Sequence, residues 1–185
     1  MQNDLFSLPL CGIDEAGRGP LAGSLVISGV VIQRHIDGLM DSKRLTEAKR
    51  EKLFSRIIKN TKYHIVIFSA TKVDSLGISR CIKQGLLEIK ENLDGYDYLF
   101  DGNSAFGVSS IRTMVKADNK IAEVSAASIL AKVTHDREMV KFAKKYPEYG
   151  FEKHKGYGTK VHIEAILKYG KCEHHRHSFK VKGER

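Results

Sequence analysis

Tryptophan is absent from this chain, and proline and cysteine are scarce, with 3 of each among 185 residues. Together with only 16 glycines, this scarcity excludes collagen-like repeats and long low-complexity linkers. The cysteines, Cys11, Cys81 and Cys172, are odd in number, far apart and form no CxxC pair. This spacing argues against a disulfide framework, so we expect inert free thiols and a reducing, cytoplasmic location.

Long apolar runs are also missing. No stretch approaches the roughly 18 consecutive apolar residues that a membrane span needs. The first seven residues carry one acidic and no basic side chain, and the apolar run at residues 8–11 is too short for a signal-peptide core. We therefore expect neither a membrane span nor a secretory leader.

Positive charge is present in excess. Lysine and arginine total 31 against 22 acidic residues, a formal net charge of +9 at pH 7. Such a surplus favours a polyanionic partner, either nucleic acid or an anionic membrane surface. The length and the 42% hydrophobic content suit one packed domain over residues 1–185, with a short basic, histidine-rich tail at its C-terminal end.

Apolar periodicity predicts alternating strands and helices. Strands are predicted at residues 10–13, 25–32 (with a possible bulge at Gly29), 63–70, 96–100 and 111–115. Helices are predicted from an N-cap at Thr46 to about Ile58, and over residues 78–93, 123–146 and 159–169. This order is typical of an α/β fold with a central mixed β-sheet flanked by helices.

Acidic side chains follow two of the predicted strands. Asp14 and Glu15 come after the first, and Asp101 ends the short aromatic one. Ligand sites in open α/β sheets lie beyond the carboxyl ends of strands, and clustered carboxylates need divalent cations to neutralise them. Asp118 is placed to add a fourth carboxylate before the long helix. A single Asp after a strand also serves as a turn former, so spacing alone leaves both interpretations open.

Six ordered blocks of sequence resemble the type 2 ribonuclease H family, also called ribonuclease HII. The blocks are GIDEAGRGPLAG at residues 12–23, DSKRL at 41–45, FDG at 100–102, KAD at 116–118, SAASILAKV at 125–133 and HKGYGT at 154–159. The resemblance covers roughly residues 10 to 180, nearly the whole chain. The resemblance implies a ribonuclease H-like fold and a single catalytic domain.

The resemblance also implies an activity. Relatives of this kind cleave the RNA strand of RNA–DNA hybrids and nick duplex DNA 5′ to embedded ribonucleotides, leaving 3′-hydroxyl and 5′-phosphate ends. The family's catalytic acids fall at Asp14, Glu15, Asp101 and Asp118, which would hold two Mg²⁺ or Mn²⁺ ions. One ion would activate the attacking water and the other would stabilise the leaving 3′ oxygen. The implied cellular role is ribonucleotide excision repair and DNA replication.

Substrate-binding residues are implied by the same comparison. Gly17, Arg18 and Gly19 match the loop that senses the ribose 2′-hydroxyl through main-chain groups, which glycines make possible by allowing close approach. Tyr157 matches the tyrosine that packs on the deoxyribose after the ribonucleotide, and Lys43 matches a lysine on the backbone phosphate. Asp136 is the alternative to Asp118 as fourth carboxylate, but it lies beyond the family's motif position.

Two further interpretations concern the tail and the partners. The run at residues 172–177 lacks the paired spacing of a zinc site, so we interpret it as a basic patch near the substrate backbone. We expect a monomer that acts on RNA–DNA hybrids and ribonucleotide-containing duplex DNA. A non-catalytic nucleic-acid-binding module and a DNA-junction nuclease of the same fold are the alternatives. Metal-dependent turnover and ribose preference would separate the three.

Overall fold

The computed structural model describes residues 7–39 and 45–183. Its strands are β1 (Leu10–Ala16), β2 (Leu25–Ile32), β3 (Thr61–Phe68), β4 (Asp97–Asp101) and β5 (Ile111–Met114). Its helices are α1 (Glu47–Asn60), α2 (Ala70–Leu76), α3 (Ile78–Asn92), α4 (Ala122–Lys145), the single turn α5 (Phe151–His154) and α6 (Lys160–Tyr169). The elements follow one another in this order because apolar periodicity alternates between that of strands and that of helices.

The strands form one mixed sheet in the order β3-β2-β1-β4-β5. Strand β1 pairs antiparallel with β2 and parallel with β4, and β5 continues the parallel side. The predicted α/β fold with a central mixed sheet is therefore confirmed. Because β1 and β4 run in the same direction, their carboxyl ends meet at one edge of the sheet.

Helices cover both faces of the sheet. On one face, Leu86 and Ile89 of α3 pack in the same cluster as Ile27 of β2. On the other face, α1 and α4 enclose a second cluster that includes Leu53 and Leu130. These clusters bury the apolar stripes of the helices, which supplies the main driving force for folding.

Helix α4 lies unusually close to the central strand. A Cβ added at Gly12 of β1 would lie 2.3 Å from the backbone of Glu123 and Val124 in α4. The hydroxyl of Ser28 donates to the Ala127 carbonyl at 2.6 Å, which joins β2 to the same helix. Small residues at these contacts therefore hold the start of α4 beside the edge where β1 ends.

Most predicted boundaries agree with the structure within about two residues. Helix α1 begins after Thr46, whose hydroxyl accepts a hydrogen bond from the Lys49 amide as an N-cap. The predicted bulge at Gly29 is wrong, because its pairing is continuous with Ile13 and His64 on either side. A Cβ at Gly29 would instead lie 2.5 Å from the side chain of Ile89 in α3, so the absence of a side chain here lets the helix pack close to the sheet.

Two features of the structure were not predicted from the sequence. Helix α2 and the single turn α5 fall in stretches assigned to strand, loop or connection.

Within residues 7–39 and 45–183, no helix combines the length and apolar character needed to cross a membrane.

Candidate active site

Four acidic residues converge at the edge where β1 and β4 end. Asp14 and Glu15 lie near the end of β1, where they pair with β2, and β1 ends at Ala16. Asp101 is the last residue of β4. Asp118 lies in the 3-10 turn Ala117–Asn119 that precedes α4. The parallel pairing of β1 with β4 explains why residues 87 positions apart in sequence, Asp14 and Asp101, become neighbours.

Three of the carboxylates are close enough to share a cation. One oxygen each from Asp14, Asp101 and Asp118 lies within 4.8 Å of the other two. Asp118 is fully buried, and the amide of Ala117 donates to Asp101 at 3.3 Å. The hydroxyl of Ser128 in α4 donates to Asp14. These contacts orient the carboxylates toward a common point.

Glu15 lies beside this group. Its Oε1 is 3.3 Å from a guanidinium nitrogen of Arg18, and its Oε2 is buried without a hydrogen-bond partner. A buried carboxylate oxygen without a donor is costly, and a cation would relieve that cost. Glu15 is therefore placed to add a fourth oxygen ligand.

The electrostatics of the cluster disfavour four negative charges without a counter-ion. Burial and the charge of Glu15 raise the pKa of Asp14 well above its usual range. Burial also raises the pKa of Glu15 against the opposing effect of Arg18, and burial with the charge of Asp118 raises the pKa of Asp101. The cluster therefore attracts protons or metal cations.

A cavity of about 570 Å³ opens beside the acids. Basic side chains surround it, namely Arg18, Arg50, Lys116 and Lys132. Carboxylates at the base and cations at the rim suit a phosphodiester, because the rim attracts the phosphate backbone while the base holds metal.

Three of these basic residues, Arg50, Lys116 and Lys132, were not predicted as site residues from the sequence. Lys132 follows Ser128 by four residues, one turn of α4, so helical spacing could have indicated it. Lys116 lies outside the helix, two positions before Asp118. Arg50 comes from α1, distant in sequence, and no local pattern indicates it. Lys43 and most of its block lie outside the described residues.

The predicted ribose-sensing loop and Tyr157 lie on the same side of the cavity. Gly17 has a φ of +86°, and a Cβ there would lie 2.3 Å from the Ser24 carbonyl oxygen. A Cβ at Gly19 would meet nothing nearer than the Tyr157 ring, at 3.9 Å. Tyr157 is half exposed and lines the cavity. The glycine at 17 is thus required by the fold, whereas Gly19 leaves space on the cavity side.

The alternative fourth carboxylate, Asp136, lies apart from the cluster. It accepts a hydrogen bond from Lys132 Nζ at 2.7 Å and lies 3.3 Å from His135 Nδ1. These contacts lower the pKa of Asp136 despite its burial. Asp136 therefore orients Lys132, and the carboxylate near Asp101 is that of Asp118.

The C-terminal segment departs from the expected surface patch. His175 and Arg176 are 1% and 0% exposed, so the interpretation as an exposed basic patch is wrong for these two residues. Residue 22 pairs with His175 in an isolated antiparallel bridge, and Arg176 reaches the loop before β2. Long-range pairing with residues 17–23, which no local pattern reveals, draws the segment into the protein.

His175 and His162 form a hydrogen-bonded chain that ends on the main chain of Tyr157. The Cys172 amide donates to His175 Nδ1 at 2.9 Å, so His175 Nε2 carries the proton and donates to His162 Nε2 at 3.0 Å. His162 Nδ1 then donates to the Tyr157 carbonyl at 2.9 Å. Both imidazoles must be neutral for the chain to form.

Stability is therefore expected to fall in mild acid. Burial lowers the pKa of His162 to about 4 and that of His175 to about 3, against roughly 6.5 in an unfolded chain. Above pH 6.5 both states are neutral and the full stability is present. As the pH falls from about 6.5 toward 4, the unfolded chain binds protons that the folded one excludes, so the free energy of unfolding decreases. Urea unfolding at pH 7.5, 6 and 5 measures this slope.

Two variants separate this effect from general acid sensitivity. His175→Gln removes one buried imidazole and should flatten the pH dependence, whereas His35→Gln, at a highly exposed histidine, should leave it unchanged. An equal slope in all three proteins would contradict the assignment.

Comparison with known proteins gives the family. A family model described as Ribonuclease HII matches residues 11–182. The chain is 67% identical to a ribonuclease HII of Sulfurovum sp., covering 99% of this chain and 96% of the relative. It is 57% identical to that of Aliarcobacter butzleri, covering 94% and 91%.

Solved structures agree with this result. The ribonuclease HII in a complex with PCNA from Archaeoglobus fulgidus superposes with a TM-score of 0.82 at 27% identity, covering 96% of this chain and 98% of that one. Ribonuclease H2 from Pyrococcus horikoshii gives 0.74 at 31% identity, covering 93% and 94%. Bst-RNase HIII in complex with Mn²⁺, at 19% identity and a TM-score of 0.71, shares the fold; the match covers 90% of this chain and 64% of that one.

Proposed function

The chain belongs to the ribonuclease HII family, and we propose that it is a metal-dependent endonuclease that nicks duplex DNA 5′ to embedded ribonucleotides as well as cleaving RNA–DNA hybrids. The products would carry 3′-hydroxyl and 5′-phosphate ends. The observation that carries this proposal is the convergence of Asp14 and Asp101, which line a cavity with a basic rim, with the fully buried Asp118. A module that only bound phosphates would gain nothing from buried carboxylates there.

The four acids fit hard divalent cations. Their oxygens are the ligands that Mg²⁺ and Mn²⁺ prefer. The close spacing of Asp14, Asp101 and Asp118, the raised pKa values of Asp14, Glu15 and Asp101, and the unpartnered Glu15 Oε2 all favour a bound positive charge. Bound metal would supply Lewis-acid chemistry, lowering the pKa of water and neutralising charge on the leaving oxygen. Asp14, Glu15, Asp101 and Asp118 would hold it.

Groups of the chain would hold the substrate in place. Arg50, Lys116 and Lys132 line the cavity and would bind the phosphates on either side of the scissile bond. Lys132 is held by Asp136, so its ammonium group is oriented before substrate arrives.

Recognition of the ribonucleotide would use the loop and the tyrosine. The main chain of Gly17–Gly19 would approach the ribose 2′-hydroxyl, and Tyr157 would pack on the following deoxyribose. Their proximity supports this division, since the Tyr157 ring lies 3.9 Å from the position of a Cβ on Gly19. A ribose lying against the loop and the next sugar lying against the ring would therefore be recognised together.

The test uses a DNA duplex with one internal ribonucleotide, an all-DNA duplex and a long RNA–DNA hybrid, each with Mg²⁺, Mn²⁺ or EDTA. We expect one metal-dependent nick 5′ to the ribose, with ends that polymerase extends and ligase accepts. Cleavage of the long hybrid alone would remove the junction role. Binding without cleavage would favour the binding module, and cutting of branched DNA without ribose preference would favour a DNA-junction nuclease.

A further inference from the structure

Arg176 is fully buried, and every side-chain hydrogen bond it makes in the described chain goes to one loop. Its Nη1 donates to the carbonyls of Arg18 and Pro20 at 3.1 and 3.0 Å. Its Nη2 donates to Gly17 at 2.5 Å and to Gly23 at 2.9 Å, and its Nε donates to Gly23 at 3.1 Å. One guanidinium group thus donates hydrogen bonds to four carbonyls of the loop at residues 17–23.

Burial of the charged Arg176 side chain costs free energy, which its hydrogen bonds must offset. A buried cation without a carboxylate partner is stable only when its donors are satisfied, and here main-chain oxygens satisfy them. Burial lowers the pKa of Arg176 to about 10, so the group remains charged at neutral pH. A planar fork with five donors can serve four carbonyls at once, which an ammonium group cannot do.

Turning the carbonyls inward turns two amides outward. In a trans peptide the N–H points opposite to the C=O of the same unit. With the carbonyls of Gly17 and Arg18 directed at Arg176, the amides of Arg18 and Gly19 point away from it, on the part of the loop that lines the cavity. Neither amide donates to an acceptor within the described chain.

His175 and Arg176 also fix the position of Tyr157 relative to the loop at residues 17–23. Arg176 N donates to the Leu21 carbonyl and Leu21 N donates to the Gly156 carbonyl, both at 2.8 Å. His175, next in sequence, reaches the Tyr157 carbonyl through His162. One short stretch therefore supports both elements proposed to read the ribonucleotide.

We propose that Arg176 is a positioning residue for ribose recognition, holding the amides of Arg18 and Gly19 outward so that they can donate to the sugar 2′-oxygen. The proposal rests on the proposed function, because it names the groups that the same site uses. Arg176 itself does not touch substrate and acts only through the main chain of the loop. Its loss should therefore reduce discrimination for ribose more than affinity for the duplex.

The experiment compares wild type with Arg176→Lys, which keeps the charge but loses the fork. Binding to an uncut duplex with one ribonucleotide and to the matching all-DNA duplex is measured by fluorescence anisotropy in EDTA, and nicking in Mg²⁺. We expect the ribose preference in Kd to fall at least fivefold, while the Kd for all-DNA duplex stays within twofold. The nicking rate at the ribonucleotide should fall more than tenfold.

Controls distinguish a positioning role from a structural one. Arg137→Lys changes a partly exposed arginine of α4 that pairs with Glu51 of α1 and does not line the cavity, and it should keep the ribose preference. If circular dichroism shows that Arg176→Lys is unfolded, Arg176→Gln, which keeps two donors without a buried charge, replaces it. An unchanged ribose preference in the folded variant would overturn the role proposed for Arg176 and leave the proposed function standing. A wild type without ribose preference or nicking would overturn the proposed function, and this inference with it.

Discussion

Replacing Asp101 with asparagine is expected to reduce cleavage by a factor on the order of 1,000 or more, as is common when an essential catalytic group is removed. The substitution removes one of three carboxylates whose oxygens lie within 4.8 Å of one another, yet Asn keeps an oxygen for the Ala117 amide. Cleavage of the ribonucleotide duplex in Mg²⁺ measures the loss.

The same variant should be more stable than wild type without metal. Removing one negative charge from a buried cluster relieves repulsion, and about 1 kcal/mol would raise the melting temperature by roughly 2–4 °C in a chain of this size. Adding Mg²⁺ should stabilise wild type, since ligands that bind only the folded state raise its stability, and should stabilise Asp101→Asn much less.

Asp97→Asn is the matched control. Asp97 begins the same strand that Asp101 ends, and its carboxylate accepts the amides of Ser7 and Leu8 far from the cavity. This variant should keep both cleavage and the Mg²⁺ response. Full activity in Asp101→Asn, or an unchanged Mg²⁺ response, would remove Asp101 from the metal site.

Replacing Gly19 with alanine should abolish most nicking at single ribonucleotides without harming the fold. The Cβ would have no neighbour nearer than 3.9 Å, so the melting temperature should change by less than about 2 °C, as is usual for surface positions. The added methyl group would stand between the loop amides and the sugar. We expect at least a tenfold loss in kcat/KM, measured beside thermal unfolding.

Gly17→Ala gives the contrasting case. Its φ of +86° and a Cβ 2.3 Å from the Ser24 carbonyl predict a clear loss of stability as well as activity. If Gly19→Ala cleaved the ribonucleotide duplex at the wild-type rate, the sugar would not approach this side of the loop.

Local signals in the sequence predicted most elements and the position of the acids. The helix after Thr46 and the helix over residues 122–145 have an N-cap or an uninterrupted run of helix-forming residues, and each shows in a single window. Asp14 and Asp101 each follow a predicted strand, but whether they lie together depends on the strands being neighbours, which spacing alone left open. Asp118 required the family resemblance, since a lone Asp before a helix has several ordinary roles.

Features that depend on distant partners were not predictable in this way. The burial of His175 and Arg176 follows from contacts with residues 17–23, and a basic, histidine-rich stretch by itself resembles a solvated tail. Arg50 reaches the cavity only because α1 packs beside α4, which no local pattern encodes. The role of Gly29 likewise depended on where α3 crosses the sheet.

The contacts of Arg176 also set an order of events during synthesis. They join residues 153 to 159 positions apart, so the loop at residues 17–23 cannot take its final shape until the ribosome has passed residue 176 and released it from the exit tunnel. The acidic residues, complete by Asp118, emerge well before. Domains fold as their chains emerge, and long-range contacts close last. A nascent chain would therefore carry its carboxylates before its ribose-recognition loop takes its final shape, and full selectivity would appear only after residue 176 has emerged.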